Sequence, residues 1–359
     1  MVGYLRDCKR PSQTTGDYLG MFAPKYRSIS NLGAYDQMVQ FMQFLMRFAL
    51  STVFVGCLYV LFGAIGGDWH WSFDLAGQFL LPAIITACLG AIGAGIARLS
   101  FAAAGFLALG VVLALVSVPW TSAPSSVPAN APRFSVLLFN VWYRNQDLDG
   151  IRKLIERKNP DLVVLIEATS RIRDGLKAVV ARYPYHLDCL DTAGCGVLMF
   201  SRSRLSPQDV QETHDPMGSP LVSVSAQLGG CRMTVFATHL TRPYPFAPTW
   251  VQSAQAEEIG DEVAAWGGTK LLVGDFNASP WGHVMGTIAS RGHLDILKGP
   301  GGTWPSVLPQ RLRIPIDHML VSSGLSFLSR EVLPSPGSDH APVFARIAVT
   351  DATQCSSHP

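Results

Sequence analysis

Charge is the scarcest feature of this 359-residue chain: Asp, Glu, Lys and Arg make up only 15% of it, against a hydrophobic share of 48%. A soluble globular domain carries roughly a quarter of its residues as charges, so the deficit must be concentrated in a nearly charge-free stretch. So apolar a composition excludes intrinsic disorder, which needs low hydrophobicity and high net charge. Cysteine is sparse as well. Seven residues are too few for a small disulfide scaffold, where Cys runs at roughly 8 to 10%. No internal repeat is visible, and the length predicts about two structural units.

The missing charge lies between residues 44 and 132, where only Arg47, Asp68, Asp74 and Arg98 interrupt the sequence. Three uncharged runs result, 48–67, 75–97 and 99–120, each long enough at about 1.5 Å per residue to reach roughly the 30 Å of a bilayer's hydrocarbon core. They lack the polar stripe of a helix in a soluble bundle and predict three transmembrane helices. Pro82 and the Gly90, Gly93, Gly95 cluster suit a membrane helix, where neighbours satisfy freed backbone groups and small residues allow close approach. A cleavable signal peptide is not expected, because the first apolar run begins past residue 40 and two more follow. Arg6, Lys9, Arg10, Lys25, Arg27 and Arg47 precede the first span, the 68–74 loop has no Lys or Arg, and Arg98 lies between the second and third. Cations stay inside, so the N-terminus is expected to be cytoplasmic and everything after residue 120 extracytoplasmic, in a multi-pass protein of the inner membrane. Trp69, Trp71 and Trp120 then fall where interfacial aromatics belong.

The expected organisation is a loose tail over 1–40, a membrane anchor over 41–120, a Pro/Ser/Ala linker over 121–132, a domain over 133–350 and a short C-terminal tail over 351–359. The linker's prolines make it semi-extended. The chain beyond it carries 21 basic and 21 acidic residues. Short β-branched or alternating runs bounded by Gly, Pro, Asn or Asp predict strands at 134–139, 162–166, 196–200, 221–228, 233–240, 270–274, 316–321 and 342–349. Apolar spacings of three and four predict helices at 148–158, 171–181 and 249–266. Many strands with few crossovers point to an α/β architecture of layered sheets with helices outside.

Polar side chains recur at the ends of those strands. Asn140 closes FSVLLFN, Glu167 closes LVVLIE, His239 closes VFATH, and Asp275 and Asn277 stand in GDFN. Asp317 and His318 open IDHMLV, and Ser338, Asp339 and His340 precede APVF. A turn former, a helix cap or a core histidine would account for any one of them alone. Together they would cost stability by desolvation unless they meet at one polar, metal-holding site.

The order and wording of these motifs, FN, VLIE, THL, GDFN, IDH and SDHAP, resemble the endonuclease/exonuclease/phosphatase superfamily of deoxyribonuclease-I-like fold, here as a membrane-anchored member of bacterial type. The resemblance covers Arg133 to Val349 and does not extend to the apolar segment. It implies a four-layer α/β/β/α sandwich and metal-dependent hydrolysis of a phosphate ester, with Mg²⁺ as cofactor and Mn²⁺ as a substitute. By match to the family, Glu167 is the metal ligand, with Asn140 and Asp339 completing or bordering its site. His340, held by Asp317, is general base or phosphate ligand. Asp275 positions the attacking water, Asn277 donates to the phosphate, and His239 is a candidate acid for the leaving group, though no motif supplies its acidic partner. His318 faces the other side of its strand and is expected to pack, since successive side chains alternate faces.

Asn145 and Arg242 lie close enough in sequence to touch substrate. The substrate is a phosphate ester carried by a lipid, a nucleotide or a nucleic acid. The balanced charge of the domain weighs against duplex DNA, whose binding rests on phosphate neutralisation. The rival readings are a nuclease and an inactive phosphate- or partner-binding domain; the bilayer is the other expected partner, and no protein partner is inferred. Cys189 and Cys195 are spaced to close a short disulfide loop outside the cytoplasm. Zinc is the alternative there, but no second CxxC or HxxxH accompanies them. Cys231 and Cys355 have no obvious mates, and Cys57 and Cys88 fall within the apolar runs.

Overall fold

The structure is a computed structural model and describes residues 29–121, 127–179, 181–190, 194–211, 219–243, 249–299 and 301–355. The chain divides into two units, Met1–Ala49 and Leu50–Pro359. The described part of the first unit is the beginning of helix α1 (Ile29–Ile65). That helix extends twelve residues into the segment expected to be a loose tail, because 29–43 contains no proline to stop it; the rest of the tail lies outside the described residues.

Three further helices complete the apolar segment: α2 (Trp71–Gly77), α3 (Leu80–Ile96) and α4 (Ser100–Thr121). Among the described residues two helical stretches are long and apolar enough to cross a membrane, Gly33–Ile65 and Ser100–Val118, not the three expected from the sequence. The uncharged run 75–97 is broken at Gln78 and Phe79. Its first part belongs to α2, and α3 keeps 17 residues, about 25 Å of helix. Only 17% and 28% of the most apolar windows of the two long helices are buried, so neither is the core helix of a soluble bundle. α3 and α4 pack where the sequence is small. A Cβ on Gly90 would strike the Phe106 ring at 2.6 Å, whereas Gly93 and Gly95 face open space.

The remainder is built from β1 (Arg133–Asn140), α5 (Leu148–Lys158), β2 (Leu162–Ile166), α6 (Ser170–Gly175), β3 (Tyr185–Asp188), β4 (Leu198–Ser201), β5 (Leu205–Gln211), β6 (Leu221–Leu228) and β7 (Cys231–His239). There follow α7 (Thr249–Ala265), β8 (Lys270–Asp275), α8 (His283–Gly292), β9 (Leu294–Ile296), β10 (Asp317–Ser322), β11 (Leu325–Val332) and β12 (Val343–Val349). They form two six-stranded mixed sheets, ordered β11-β12-β1-β2-β4-β3 and β5-β6-β7-β8-β10-β9. Each is centred on a parallel pair, β1 with β2 and β7 with β8.

The two-residue period of a strand sorts the core into layers. Phe134, Val136 and Leu138 of β1 join Met233, Val235 and Ala237 of β7 and Leu271 and Val273 of β8 between the sheets. The alternate residues Leu137 and Phe139 pack on Ile151, Leu154 and Ile155 of α5. Phe236, Leu272 and Leu320 pack on Ile259 and Val263 of α7 and on Val284, Met285 and Ile288 of α8. Two packed sheets flanked by helices is the layering expected from the sequence.

Disulfides join Cys189 to Cys195, as the spacing suggested, and Cys231 to Cys355. The second pair corrects the reading that those two cysteines lack mates: 124 residues separate them, too far apart for spacing to signal. It ties the last described residue to the start of β7. The linker's 122–126 lies outside the described residues.

Candidate active site

Periodicity delivers the site. Asn140 continues the inter-sheet face of β1 (134, 136, 138, 140), His239 that of β7 and Asp275 that of β8. β10 runs antiparallel to β8, with Asp317 opposite Asp275, while His239 lies opposite Asp275 in the parallel pair. The inward-facing residue that ends β1, β7 and β8, and the one that begins β10, is therefore polar, and these four gather at one end of the sandwich, between the sheets.

Glu167 follows β2 with φ +56°, and Asn277 follows β8 with φ +48°. A left-handed backbone just past a strand redirects the side chain across the strand end, at a cost of roughly 1 to 3 kcal/mol for a residue other than glycine. Asn140 holds both flanks: its Nδ2 donates to Glu167 Oε1 (3.0 Å) and to Asp275 Oδ2 (2.8 Å), and its Oδ1 accepts from Trp142 N. Asp275 Oδ1 accepts from Asn277 N (3.0 Å), which fixes the GDFN turn. Its other oxygen lies 3.6 Å from both His239 Nε2 and His340 Nε2.

His340 stands on the loop before β12, wholly buried. Its Nδ1 donates to Asp317 Oδ2 at 2.9 Å, which turns Nε2 toward Asp275. Ser338 stitches that loop to β1, since its hydroxyl donates to Asn140 O (2.7 Å) and accepts from His340 N (3.0 Å). Burial, the largest influence, disfavours the His340 cation, but the charges of Asp317 and Asp275, the Asp317 hydrogen bond and Asp339 outweigh it and push the imidazole up to about 10. His340 Nε2 and Asp317 Oδ1 are buried with no hydrogen-bond partner among the described residues. Buried polar atoms are seldom left so unless a ligand completes them.

Two groups of side chains are close enough to share an ion, Glu167 with His239 and Asp275, and Asp275 with Asp317 and His340. The first fits a divalent cation by chemistry. Glu167 keeps about 15% of its side chain exposed, so it is reachable, and its carboxylate and that of Asp275 suit a hard ion, with the His239 imidazole beside them.

The structure thus brings Asn140, Glu167, His239, Asp275, Asn277, Asp317 and His340 together. The acidic neighbours that no motif supplied for His239 are Glu167, 3.9 Å away, and Asp275; Asn277 Nδ2 lies 3.4 Å from the same ring nitrogen. Asp339 joins neither ion-sized group, and its Oδ2 accepts from the Trp304 indole at 3.2 Å. Asn145 is buried and spends its amide on Pro336 O and Asp147 N, so it ties two loops together rather than facing a ligand. Arg242 lies 6.0 Å over the Trp304 ring. His318 packs on the far face against Phe276, its Nε2 donating to Ala278 O and Pro315 O. Trp304 is the site-rim residue that sequence reasoning missed; its only sequence signal is the Trp-Pro pair in a Gly-rich loop. Gln252 was missed too, though it donates to Phe276 O and Asn277 O from α7.

Among solved structures, the chain is similar to an endonuclease/exonuclease/phosphatase from Bacteroides vulgatus, at 16% identity over 60% of this chain and 99% of that one, with a TM-score of 0.51. An endonuclease/exonuclease/phosphatase family protein from Bacteroides thetaiotaomicron matches at 14% identity over 65% of this chain and all of that one, also with a TM-score of 0.51. Likeness at that identity shows the fold. A search of curated proteins finds no match. The model of the Endonuclease/Exonuclease/phosphatase family matches residues 137–340, more than half of the chain and every strand-end residue gathered above. The chain belongs to that family, whose members are divalent-metal-dependent hydrolases of phosphoester bonds.

Proposed function

We propose that the protein hydrolyses a phosphodiester with Mg²⁺, by attack of water in line with the leaving oxygen. The observation that carries this reading is the buried His340–Asp317 pair, whose free Nε2 points at Asp275 within the same cluster as Glu167. Glu167, flanked by Asn140, would hold the cation, which when bound neutralises charge on a non-bridging phosphate oxygen. Asp317 fixes the ring and tautomer of His340. Raised to about 10, His340 is a cation at neutral pH and its Nε2 grips the phosphate, while Asp275 stands ready to orient the attacking water and take its proton. Asn277 aims an amide at the same space, and His239, beside two carboxylates, is placed to protonate the leaving oxygen. The balanced 21 and 21 charges after the linker favour a small or lipid-borne ester over a nucleic acid.

The reading is tested with the full chain in detergent micelles, bis-p-nitrophenyl phosphate as substrate and Mg²⁺ titrated against EDTA. Glu167→Gln and His340→Ala are each expected to lower kcat by roughly 10²-fold or more, with EDTA abolishing turnover and Mg²⁺ restoring it. Equal rates for wild type and Glu167→Gln in metal-replete buffer would sink it.

The same reading puts the site outside the cytoplasm, on a chain anchored by its long apolar helices α1 and α4. Asp74, Gly77 and Gln78, between α1 and α3, hydrogen-bond to residues 277–283 beside the site, so that segment and the catalytic domain share one side of any bilayer. α4 leads into the same domain. A crossing by α4 therefore requires a return crossing by α3, whose 17 residues are at the short end of what spans. Two disulfides in this unit suit an oxidising compartment.

A further inference from the structure

The turn that carries Asn277 is held from an unexpected quarter. Between Phe276 and His283 the chain must keep Asn277 left-handed and start α8, yet the N-cap of α8 is Gly282, which has no side chain to offer. The missing cap comes from 209 residues earlier: Asp74 Oδ1 accepts from His283 N at 2.6 Å. Gly282 is what admits it, because a Cβ there would lie 2.7 Å from that same oxygen. One residue before the cap, the Trp281 indole donates to Gly77 O at 2.6 Å, and its ring packs on the apolar-helix cluster around Leu80 and Phe106. Gln78, 5% exposed, donates to Asn277 O at 3.4 Å. α2 is itself pressed onto α1, for a Cβ on Gly63 would meet Gly77 N at 2.4 Å. Three residues of the inter-helix segment, Asp74, Gly77 and Gln78, thus grip a turn whose other end donates into the catalytic cluster.

We propose that the segment joining the apolar helices is a positioning element of the active site: Asp74, Gln78 and the Gly77 carbonyl hold the 276–283 turn so that Asn277 faces His239 and Asp275. The helices then serve catalysis as well as anchorage, and the site is complete only when they are folded. Asp74 and Gln78 touch no reacting atom; they act through the backbone of Asn277 and the start of α8. Loss of a cap or a buried hydrogen bond on so short a turn misplaces the amide without dismantling the sheets that carry Glu167, Asp317 and His340.

The inference rests on the phosphoesterase reading and is tested with the full chain in detergent micelles, at saturating Mg²⁺, on bis-p-nitrophenyl phosphate. Asp74→Ala and the milder Trp281→Phe, which removes the indole donor and part of the ring that packs on the helices, are each expected to lower kcat roughly 5- to 30-fold with KM held within about twofold. Asp74→Asn keeps an oxygen for His283 N and is expected to recover most of that loss. The proposal falls if Trp281→Phe and a folded Asp74→Ala retain wild-type kcat, or if Asp74→Asn is as impaired as Asp74→Ala. Should Asp74→Ala not fold, Trp281→Phe and Gln78→Met decide alone. Hydrogen exchange separates this failure from that of the enzyme reading. If wild type shows no turnover, the phosphoesterase assignment fails, and the positioning role still stands or falls on the amides of 276–283. They are expected to exchange roughly tenfold faster in Trp281→Phe while those of β7 and β8 are unchanged.

Discussion

At the scale of single residues, neighbours in sequence have opposite duties. Asp317 and His318 are consecutive, yet one orients His340 between the sheets and the other is sealed beneath α8 with Phe276. Strand alternation made that split legible from IDHMLV alone. What His318 contributes is a pH dependence. Burial first, and the nearby Arg330 charge second, lower its imidazole from 6.5 to about 4. Above pH 6.5 the folded and unfolded chains are both neutral at this residue and its full contribution to stability is present. As pH falls from 6.5 toward 4 the unfolded chain binds a proton that the folded chain refuses, and stability drops by roughly 3 kcal/mol. In His318→Gln, whose amide still donates to Ala278 O and Pro315 O, that part of the acid sensitivity should vanish. Urea midpoints of the full chain in detergent, measured from pH 7 to 4, give the slope; parallel curves for wild type and variant would refute the assignment.

At the scale of elements, legibility follows local pattern. β1, β2, β6, β8 and β12 were readable because each is a short, mostly apolar or alternating run that is buried along nearly all its length, and α5 because Asp147 caps it, Asn159 ends it left-handed and its apolar residues keep helical spacing. β9 is three residues long and β3 is half exposed, so neither yields a period. A register shift between Phe327 and Ser329 breaks the alternation of β11. α8 hides for a different reason. It contains Gly286 and Gly292 and the β-branched Val284, Thr287 and Ile288, and its cap arrives from Asp74, so no local signal marks its start. The strand-end residues were found as a set because an end-of-strand carboxylate needs only local sequence to be seen; Trp304, Gln252 and Gln78 were not, because their roles exist only across the fold. Distance along the chain also ranks the disulfides. Closing a 124-residue loop restricts the unfolded chain far more than closing a 6-residue one, about 5 against about 2 kcal/mol in the chain-entropy account. Cys231→Ser/Cys355→Ser should therefore lower the urea midpoint of the catalytic domain by more than Cys189→Ser/Cys195→Ser. The reverse order would mean that the short loop, which runs back to Gly196 against Ala168 beside Glu167, matters through the folded state instead.

At the scale of the whole molecule, connectivity constrains what helix length leaves open. Length alone selects α1 and α4 and passes over α3. The contacts of Asp74, Gly77 and Gln78 with residues 277–283 add a parity rule: an even number of crossings separates the α2 segment from the domain that follows α4. If α4 spans, α3 spans with it, and Arg98 in the turn between them lies across the bilayer from the domain that follows α4. A short α3 is tolerable because its small residues pack on α4 and a thinner local bilayer costs only a fraction of a kcal/mol per Å. Reporter fusions test the rule without any reference to activity. Alkaline phosphatase joined after Asp68 and at the C-terminus should be active in both, and a fusion after Arg98 inactive but fluorescent when the reporter is a cytoplasmic one. Agreement between the Asp68 and Arg98 fusions would mean that α3 does not cross. The docking of α2 on the turn after Asn277 could then hold only with α4 lying outside the bilayer as well, leaving α1 as the sole span.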